Sequence, residues 1–338
     1  MFIPMNVSSK KVAATGDTDA KIAIICDCAD GFDIRNMRAL SGPRGNVLEQ
    51  CLHAAGLIRG EVYITLLIKE QPKKKLKSGN EFFTARGKRF DFSSEGMLAV
   101  DALKEELIQV NPNVIITAGP ACTFALAGIG SYTTYRGYFF MSSLDIKIIP
   151  TFDPGSTIWA NYERRHVIVS DLKKASNDSG TKELIRPERT LILEYTDIGE
   201  ALQWLEYFED TQIVSVDIEV INYEVSCISF SSAPDIAISM PIHGRWDLEE
   251  EMQIWRAIQR ILGNERSIKV FQNGIFDIQF LLTRNGVETR GPIHDTMIAH
   301  SIMYPDLKKG LGFLGSIYCG TQEYWKDTVK FNNIKGES

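Results

Sequence analysis

Asp217 and Glu219 lie one residue apart in the segment "IVSVDIEVINYEVSCISF", residues 213–230. The segment otherwise has the composition of a buried strand, where a charged side chain is costly to desolvate unless a positive partner meets it. Side chains at positions i and i+2 of a strand point to the same face of the sheet. Both carboxylates can therefore reach one cation.

A third carboxylate, Asp277, occurs in "VFQNGIFDIQFLL" on a predicted helix that follows the next strand. The helix is expected to pack onto the sheet through its apolar side chains, Ile275, Phe276, Phe280 and Leu281. Three carboxylates on rigid elements form a hard-oxygen site of the kind that Mg²⁺ or Mn²⁺ prefers. The alternative is that the two strand carboxylates lie at an exposed edge and that Asp277 is solvated. The short D-x-E pattern alone leaves both interpretations open.

Composition limits the other possibilities. The chain has 338 residues, of which 44% are hydrophobic and 24% charged. At about 100 to 200 residues per domain, this length predicts two domains. No apolar run approaches the roughly 20 residues that span a bilayer, and the N-terminal sequence lacks the basic-then-apolar order of a signal peptide. We therefore expect a cytoplasmic protein with no membrane partner.

The cysteines and the charge balance narrow the choice further. The six cysteines are scattered without a C-x-x-C pair, so neither a disulfide framework nor a zinc ribbon is indicated. A net charge of −6 gives no overall attraction to nucleic acid. Residues 69–90 nevertheless concentrate eight Lys and Arg residues around the adjacent phenylalanines Phe82 and Phe83. This stretch is either a surface that follows a nucleic-acid backbone and stacks bases, or a solvated loop.

The polar stretch over residues 173–190 lacks apolar periodicity and marks a domain boundary. We place a first domain at residues 1–175, a linker at 176–189 and a second domain at 190–338, incomplete at its C-terminus. In the first domain, apolar runs alternate with helical segments, which predicts a parallel sheet with helices on both faces. In the second, an antiparallel meander precedes a helix, a strand and a further helix. The fold class is thus α/β, with a three-layer parallel-sheet domain and a mixed-sheet domain.

Three segments of the second domain carry a family resemblance: "VSVDIE", "FQNGIFDIQFLL" and "HDTMIAHSIMYPDLKKGLGFLGSIY". Their order resembles that of DEDD-type 3′-to-5′ exonuclease domains, and most of all the proofreading domain of phage and bacterial family A DNA polymerases. The resemblance implies a ribonuclease H-like fold in which Asp217, Glu219 and Asp277 are catalytic carboxylates and metal ligands. By the same resemblance Asn273 helps to hold the substrate strand, and we assign Phe276 to substrate binding with it.

The chemistry follows from this resemblance. Members of the family use two divalent ions to hydrolyse the terminal phosphodiester of a strand. The resemblance therefore implies Mg²⁺ or Mn²⁺ as cofactor and the 3′ end of single-stranded DNA as substrate, in proofreading during DNA replication. The expected partners are the remainder of a polymerase chain and other replication proteins.

The family's third motif, Tyr-x-x-x-Asp or His-x-x-x-Asp, does not appear before Ser338. It would place an aromatic or imidazole group and a fourth carboxylate on one helix face. The segment "EYWKDT" holds Tyr324 and Asp327 one residue too close together, and we interpret it as the loop that precedes the motif. We therefore expect the front part of a longer polymerase with impaired exonuclease activity. The alternative is a non-catalytic module that binds DNA or a replication partner.

Three further polar residues occur in this region, Asp295, His294 and His300. Asp295 belongs to the resemblance as a supporting position, and its expected role is the N-cap of the helix that starts at "TMIAHSIMY". His294 and His300 are not assigned to catalysis, because lone histidines on apolar elements more often pack and donate one hydrogen bond.

The first domain resembles the uracil-DNA glycosylase superfamily, in the branch that is fused to some phage polymerases. The segments that carry this resemblance are "SGPRGNVLEQCLHAAGL", "EVYITLLIKEQP", "VIITAGPACTFALAG" and "IIPTFDPGS", followed by "RRHVIVSDLKKA". A glycosylase of this kind stacks the flipped uracil on an aromatic ring, reads it with an amide and stabilises the departing base with a histidine.

The chemistry of that superfamily is not preserved. The stacking position is Leu40, the amide position is Leu66, and the histidine position is Asp153, whose charge would repel a uracil anion. The water-activating acid is one of three candidates that the sequence does not separate, Asp27, Asp30 and Asp33. Members with an iron-sulfur cluster have a cysteine where this chain has Glu70, so no cluster is expected. We therefore predict an inactive glycosylase-like domain.

Overall fold

The computed structural model describes residues 11–76, 78–320 and 324, without the side chain of Lys75. The chain forms two compact units: Met1–Arg186 with Gly312–Ser338, and Pro187–Leu311. The change from the first unit to the second lies within the predicted linker. Gly312–Ser338 are grouped with the first unit although they follow the second in sequence. The predicted domain limits stay a prediction.

In the described part of the first unit up to Arg186, the chain forms nine strands and six α-helices. The strands are β1 (Ile22–Cys28), β2 (Tyr63–Ile68), β3 (Lys75–Leu76), β4 (Gly79–Asn80), β5 (Phe83–Arg86), β6 (Arg89–Phe92), β7 (Val114–Ala118), β8 (Phe140–Met141) and β9 (Lys147–Thr151). The helices are α1 (Gly31–Asn36), α2 (Gly42–Ala54), α3 (Ser94–Val110), α4 (Pro120–Ala127), α5 (Tyr132–Tyr135) and α6 (Arg164–Asn177).

The main sheet of this unit has the order β2-β1-β7-β9-β8. Its first four strands are parallel and β8 is antiparallel to β9. Ala23, Ile25 and Ile115 pack with residues of α3 and α4 in one core cluster. Because alternate side chains of a strand point to opposite faces, the intervening residues face the other layer, where α2 contacts α6 and α6 contacts β7 and β9. The predicted parallel sheet with helices on both faces is confirmed.

The basic stretch over residues 69–90 forms no extended loop. Strands β3 to β6 make a separate four-stranded antiparallel sheet. Phe83 is buried, and its ring packs against those of Phe90 and Phe92 at 6.0 Å. Phe82 also packs against the core. The interpretation of Phe82 and Phe83 as base-stacking platforms is therefore wrong, and so is the interpretation as a solvated loop.

The second unit contains a six-stranded mixed sheet of order β10-β13-β12-β11-β14-β15. Its strands are β10 (Thr190–Ile192), β11 (Ile213–Ile221), β12 (Glu224–Ala233), β13 (Ile236–Pro241), β14 (Ile268–Phe271) and β15 (Ile293–Asp295). Strands β11, β12 and β13 form the predicted antiparallel meander. Strands β14 and β15 continue the sheet in parallel with β11, and β10 pairs in parallel with β13. The predicted mixed sheet is confirmed.

The helices of the second unit are α7 (Ile198–Glu209), α8 (Leu248–Gly263), α9 (Ile275–Phe280), extended by a π turn at Leu281–Asn285, and α10 (Thr296–Met303). Asp247 starts α8 with a capping box to Glu250, which satisfies amides that the first helical turn leaves free. Helices α7 and α8 pack on each other and share one core cluster with the inner side chains of the sheet. The opposite face of the sheet carries the site described below.

The last described helix is α11 (Leu311–Tyr318). From Gly312 onward it belongs to the first unit, where Tyr138 donates a hydrogen bond to the Gly312 carbonyl at 2.7 Å. Buried Arg136 donates to the Ser316 hydroxyl and forms an ion pair with Asp171 at 2.6 Å. Among the described residues, no helix has the length and apolar character needed to cross a bilayer.

Candidate functional site

Strand β11 presents Asp217 and Glu219 on its exposed face. Along the strand, Val214, Val216 and Ile218 are buried, while both acidic residues are exposed. Only alternate residues of this segment therefore enter the core, and the acids lie on the other face. The strand lies inside the sheet between β12 and β14, so the acids are on an open face and not at a strand edge.

Asp277 reaches the same part of the sheet from helix α9. It is only 5% exposed, so it is no solvated surface residue. Its carboxylate accepts a hydrogen bond from the backbone amide of Ile218 at 3.1 Å. Strand β14 pairs with β11 only over Ile213–Ser215, so Ile218 lies beyond that ladder and its amide donates to the carboxylate instead. Asp277 is thereby fixed beside the strand position between the other two acids.

The packing predicted for α9 is wrong for two residues. Ile275 and Phe276 are 68% and 51% exposed. Leu281 is buried, and Ile278 and Phe280 pack against the core. The helix turns Asp277 and Leu281, one turn apart, toward the sheet, so the residues just before Asp277 face outward. This orientation leaves Phe276 on the surface, where the predicted substrate contact requires it.

Asn273 forms the turn between β14 and α9. It has a left-handed backbone conformation, with φ of 65°, and its side chain is exposed. The turn is held by Asp295, the last residue of β15, which accepts a hydrogen bond from the Gly274 amide at 2.8 Å. Asp295 also accepts from the amides of Met297 and Ile298, so its predicted role as the N-cap of α10 is confirmed. His294 is exposed and His300 is buried.

Asp217 and Glu219 on β11, Asp277 on α9 and Asp295 at the end of β15 form a group of four acids whose charges interact. Partial desolvation, followed by repulsion from Asp277 and Glu219, raises the pKa of Asp217 to about 6. Burial raises the pKa of Asp277, with further contributions from Asp295 and Glu219 and against the opposing effect of the Ile218 amide. Burial alone would raise the pKa of Asp295, but its backbone amide donors outweigh that effect and lower the pKa.

This charge is not compensated by the protein within the described residues. Asp217, Glu219 and Asp277 form no ion pair with a described lysine, arginine or histidine. Carboxylate oxygens are the donors that Mg²⁺ and Mn²⁺ prefer, so the donor types suit such an ion. Among the residues that the structure describes, no group of three aspartate, glutamate, histidine or cysteine side chains has an arrangement that could hold a metal ion.

A row of small side chains, which was not predicted from the sequence, borders the carboxylates. Asp217 pairs across the sheet with Ser229, which pairs with Ser239, and Glu219 pairs with Cys227. Serine and cysteine side chains are short, so they extend little above the sheet beside the acids. The alternating serines of "CISFSS" were the signal, since pairing partners in an antiparallel ladder share one face.

The three candidates for the water-activating acid in the glycosylase-like unit have separate roles. Asp30 caps α1 in a reciprocal arrangement with Asp33, which is fully buried and also accepts from the Ser41 amide at 2.7 Å. Asp27, at the end of β1, accepts from the Cys122 amide at the start of α4, 2.8 Å away. Burial, opposed by these amides, raises the pKa of Asp27 to about 6. Of the three candidates for the water-activating acid, Asp27 is thus the one that takes no part in the cap of α1.

The substituted glycosylase positions are integrated into the fold. Leu40 and Leu66 are 0% and 1% exposed. Asp153 forms two hydrogen bonds with the Arg44 guanidinium, at 3.0 and 2.6 Å. The expectation that Asp153 presents a repelling charge is therefore modified, because Arg44 neutralises it. Of the segment "EYWKDT", only Tyr324 lies within the described residues, and its ring packs against Tyr138 of the first unit; Asp327 lies outside them.

Two protein-family models match separate parts of the chain. Residues 194–333 match the family described as 3′-5′ exonuclease. Residues 13–173 match the uracil DNA glycosylase superfamily. Residues 13–173 are thus similar to the uracil DNA glycosylase superfamily, and residues 194–333 are similar to the 3′-5′ exonuclease family.

Solved structures with similarity to the chain are distant. Escherichia coli RNase D, an exoribonuclease involved in structured RNA processing, is 16% identical, with a TM-score of 0.32, covering 42% of this chain and 36% of its own. Trypanosoma brucei RNase D in complex with RNA U12 is 14% identical, with a TM-score of 0.33, covering 43% and 52%. The EXD2 exonuclease domain soaked in Mg and dGMP is 17% identical, with a TM-score of 0.27, covering 39% and 70%. The chain spans about a third of the length of the Escherichia coli enzyme.

Proposed function

We propose that the second unit carries a divalent-metal-dependent 3′-to-5′ exonuclease site whose carboxylates are Asp217, Glu219 and Asp277. The observation that carries the proposal is the position of Asp277. It is buried, it is bound to the amide between the two strand acids, and its charge contributes to the raised pKa of Asp217. Bringing such charges together costs stability, and a bound cation would offset that cost.

The residues of the chain divide the task between them. Asp217, Glu219 and Asp277 would hold Mg²⁺ or Mn²⁺, and Asp277 has little freedom to move because the Ile218 amide and the core fix it. When bound, the ions would activate water and stabilise the leaving 3′ oxygen. Asn273 and Phe276 are exposed at the start of α9 and would hold the last nucleotides through an amide and an aromatic ring.

The substrate that we propose is the 3′ end of single-stranded DNA, removed during proofreading by a family A DNA polymerase of a phage or bacterium. The match of residues 194–333 to the exonuclease family supports this class of reaction. The sequence features of family A proofreading domains support the polymerase context. The remainder of a polymerase chain and other replication proteins would then be partners.

The test is an exonuclease assay on 5′-labelled single-stranded DNA with Mg²⁺ and with Mn²⁺. We expect shortening from the 3′ end in the presence of either ion. Asp217→Asn and Asp277→Asn should each reduce the rate by about 100-fold or more. The matched control is Asp235→Asn, an exposed acid of the same unit outside the site, which should leave the rate unchanged. Equal rates in all variants would contradict the assignment.

A further inference from the structure

A groove lies in the first unit between the β5–β6 hairpin and the loop that follows α4. We call it the hairpin groove; its volume is about 520 Å³ and its lining includes Lys88, Arg89, Phe124, Gly130 and Tyr135. It shares no residue with the carboxylate site of the second unit. It also contains none of the glycosylase positions discussed above, so neither of those two sites accounts for the groove.

The hairpin that forms one wall is anchored firmly. Phe83, Phe90 and Phe92 lie on its inner face, and the Phe90 ring packs against Phe124 of α4 at 5.6 Å. Residues on the opposite face of the hairpin alternate with these and point outward. The aromatic anchor therefore fixes the positions from which Lys88 and Arg89 extend.

The opposite wall is the loop Gly128–Ser131, which runs against the hairpin turn. A Cβ atom at Gly130 would lie 1.4 Å from the carbonyl oxygen of Lys88, so only glycine permits this approach. Gly87, in the turn itself, has a φ of 62°, which also favours glycine. The two walls are thus held together by backbone packing, and the groove is a built feature of the unit.

The cations at the rim are available. Lys88 and Arg89 are exposed, and neither forms an ion pair with another described residue, whereas Arg86 beside them is paired with Asp91 at 2.9 Å. In a chain with a net charge of −6, residues 69–92 carry eight basic and three acidic side chains. Among the described residues, the groove itself is lined by the cations Lys88 and Arg89 and by no acidic side chain, so it attracts anions.

The floor is aromatic. Phe124 and Tyr135 are half-buried, and both line the groove beside the cations. The Tyr135 ring is braced edge-on by Phe140 at 5.5 Å. Aromatic rings next to unpaired cations match the two repeating parts of a single nucleic-acid strand, its bases and its phosphates. A duplex, whose bases are stacked on one another, would use only the cations.

We propose that the hairpin groove binds single-stranded nucleic acid, with phosphates at Lys88 and Arg89 and bases against Phe124 and Tyr135. This binding is independent of hydrolysis in the second unit. The first unit thereby supplies a holding surface for a strand without any chemistry of its own.

The experiment measures fluorescence anisotropy of labelled oligo-dT with the full chain carrying Asp217→Asn, in EDTA, so that no hydrolysis occurs. Reversing both rim charges, Lys88→Glu with Arg89→Glu, should weaken binding about tenfold or more and reduce the slope of log affinity against log salt by about 1.4. Tyr135→Ala should weaken binding by about fivefold or more through lost stacking. Circular dichroism and thermal melting identify variants that fail to fold.

The matched control is Arg38→Glu with Lys173→Glu, which changes the net charge equally at exposed positions of the same unit. It should retain most of the affinity. The proposal is overturned if the rim variant binds as the parent does, or if the control loses as much affinity. It is also overturned if a folded Tyr135→Leu variant binds like the parent, or if poly-glutamate competes as well as oligo-dT at equal charge. These binding measurements do not depend on the exonuclease activity proposed for the second unit, so failure of that proposal would not change their results.

Discussion

The carboxylate of Asp277 accepts a hydrogen bond from the backbone amide of Ile218 at 3.1 Å, although the two residues are 59 positions apart in sequence. Ile218 is the residue between Asp217 and Glu219. One contact thus joins the helix acid to the centre of the strand pair, and the charges of all three residues act on one another. Several measurable consequences depend on this relationship.

Asp217 should titrate in response to Asp277. Its pKa is raised to about 6 by partial desolvation and by the charges of Asp277 and Glu219. Asp277→Asn removes one repelling charge, so the pKa of Asp217 should fall toward its ordinary value, as followed by NMR in the absence of divalent ions. Asp235→Asn is the control. An unchanged pKa of Asp217 in Asp277→Asn would show that the two charges do not interact.

The same shift predicts how stability depends on pH. A carboxyl group whose folded pKa is raised stabilises the fold while protonated, so its contribution is present below about pH 4 and is lost as pH rises through about 6. Without metal, the difference in unfolding free energy between Asp217→Asn and the parent should therefore grow in favour of the variant over this interval. Urea unfolding at several pH values measures it, and a pH-independent difference would contradict the assignment.

The first unit contains a buried ion pair that can be tested against an exposed one. Arg136 and Asp171 are 1% and 0% exposed and lie 2.6 Å apart. Arg136→Ala removes the ion-pair partner of the buried Asp171, which should lower the free energy of unfolding by about 3–5 kcal/mol. Arg86→Ala, which breaks the exposed pair with Asp91, should change it by less than about 0.5 kcal/mol. Similar losses in both variants, measured by urea denaturation, would contradict this account.

The glycosylase-like unit should not excise uracil. Leu40 and Leu66 are buried apolar residues, and Asp153 is held by Arg44. No residue at these positions can stack, read or stabilise the departing base. Incubation of the full chain with a uracil-containing oligonucleotide, followed by alkali, should give no strand cleavage. Cleavage that disappears in Asp27→Asn would show that the unit is a working glycosylase.

Phe276 should affect substrate handling and leave stability nearly unchanged. Its side chain is 51% exposed, so Phe276→Ala removes little from the core. In the exonuclease assay we expect kcat/KM to fall by about tenfold, because one stacking contact is lost. The matched control is Leu282→Ala, which removes a side chain of equal 51% exposure. A loss shared by both variants, or a parallel loss of stability, would remove Phe276 from the substrate contacts.

The elements with strong apolar patterns were predictable from the sequence. Four parallel strands, the antiparallel meander and the cap at Asp295 follow from local patterns that tertiary contacts do not override. The small sheet from β3 to β6 was not predicted, because two of its strands have only two residues and its aromatic core lies within a basic stretch. The outward orientation of Ile275 and Phe276 was also missed, since the contact of Asp277 with a strand 59 residues away sets the phase of α9.

Titration calorimetry with Mn²⁺ tests the central claim most directly, because it requires no turnover. The full chain should show a binding heat that is lost or greatly weakened in Asp217→Asn and in Asp277→Asn. Asp235→Asn, an exposed acid of the same unit, should bind as the parent does. Identical titrations for the parent and Asp217→Asn would contradict the claim that these carboxylates hold the metal.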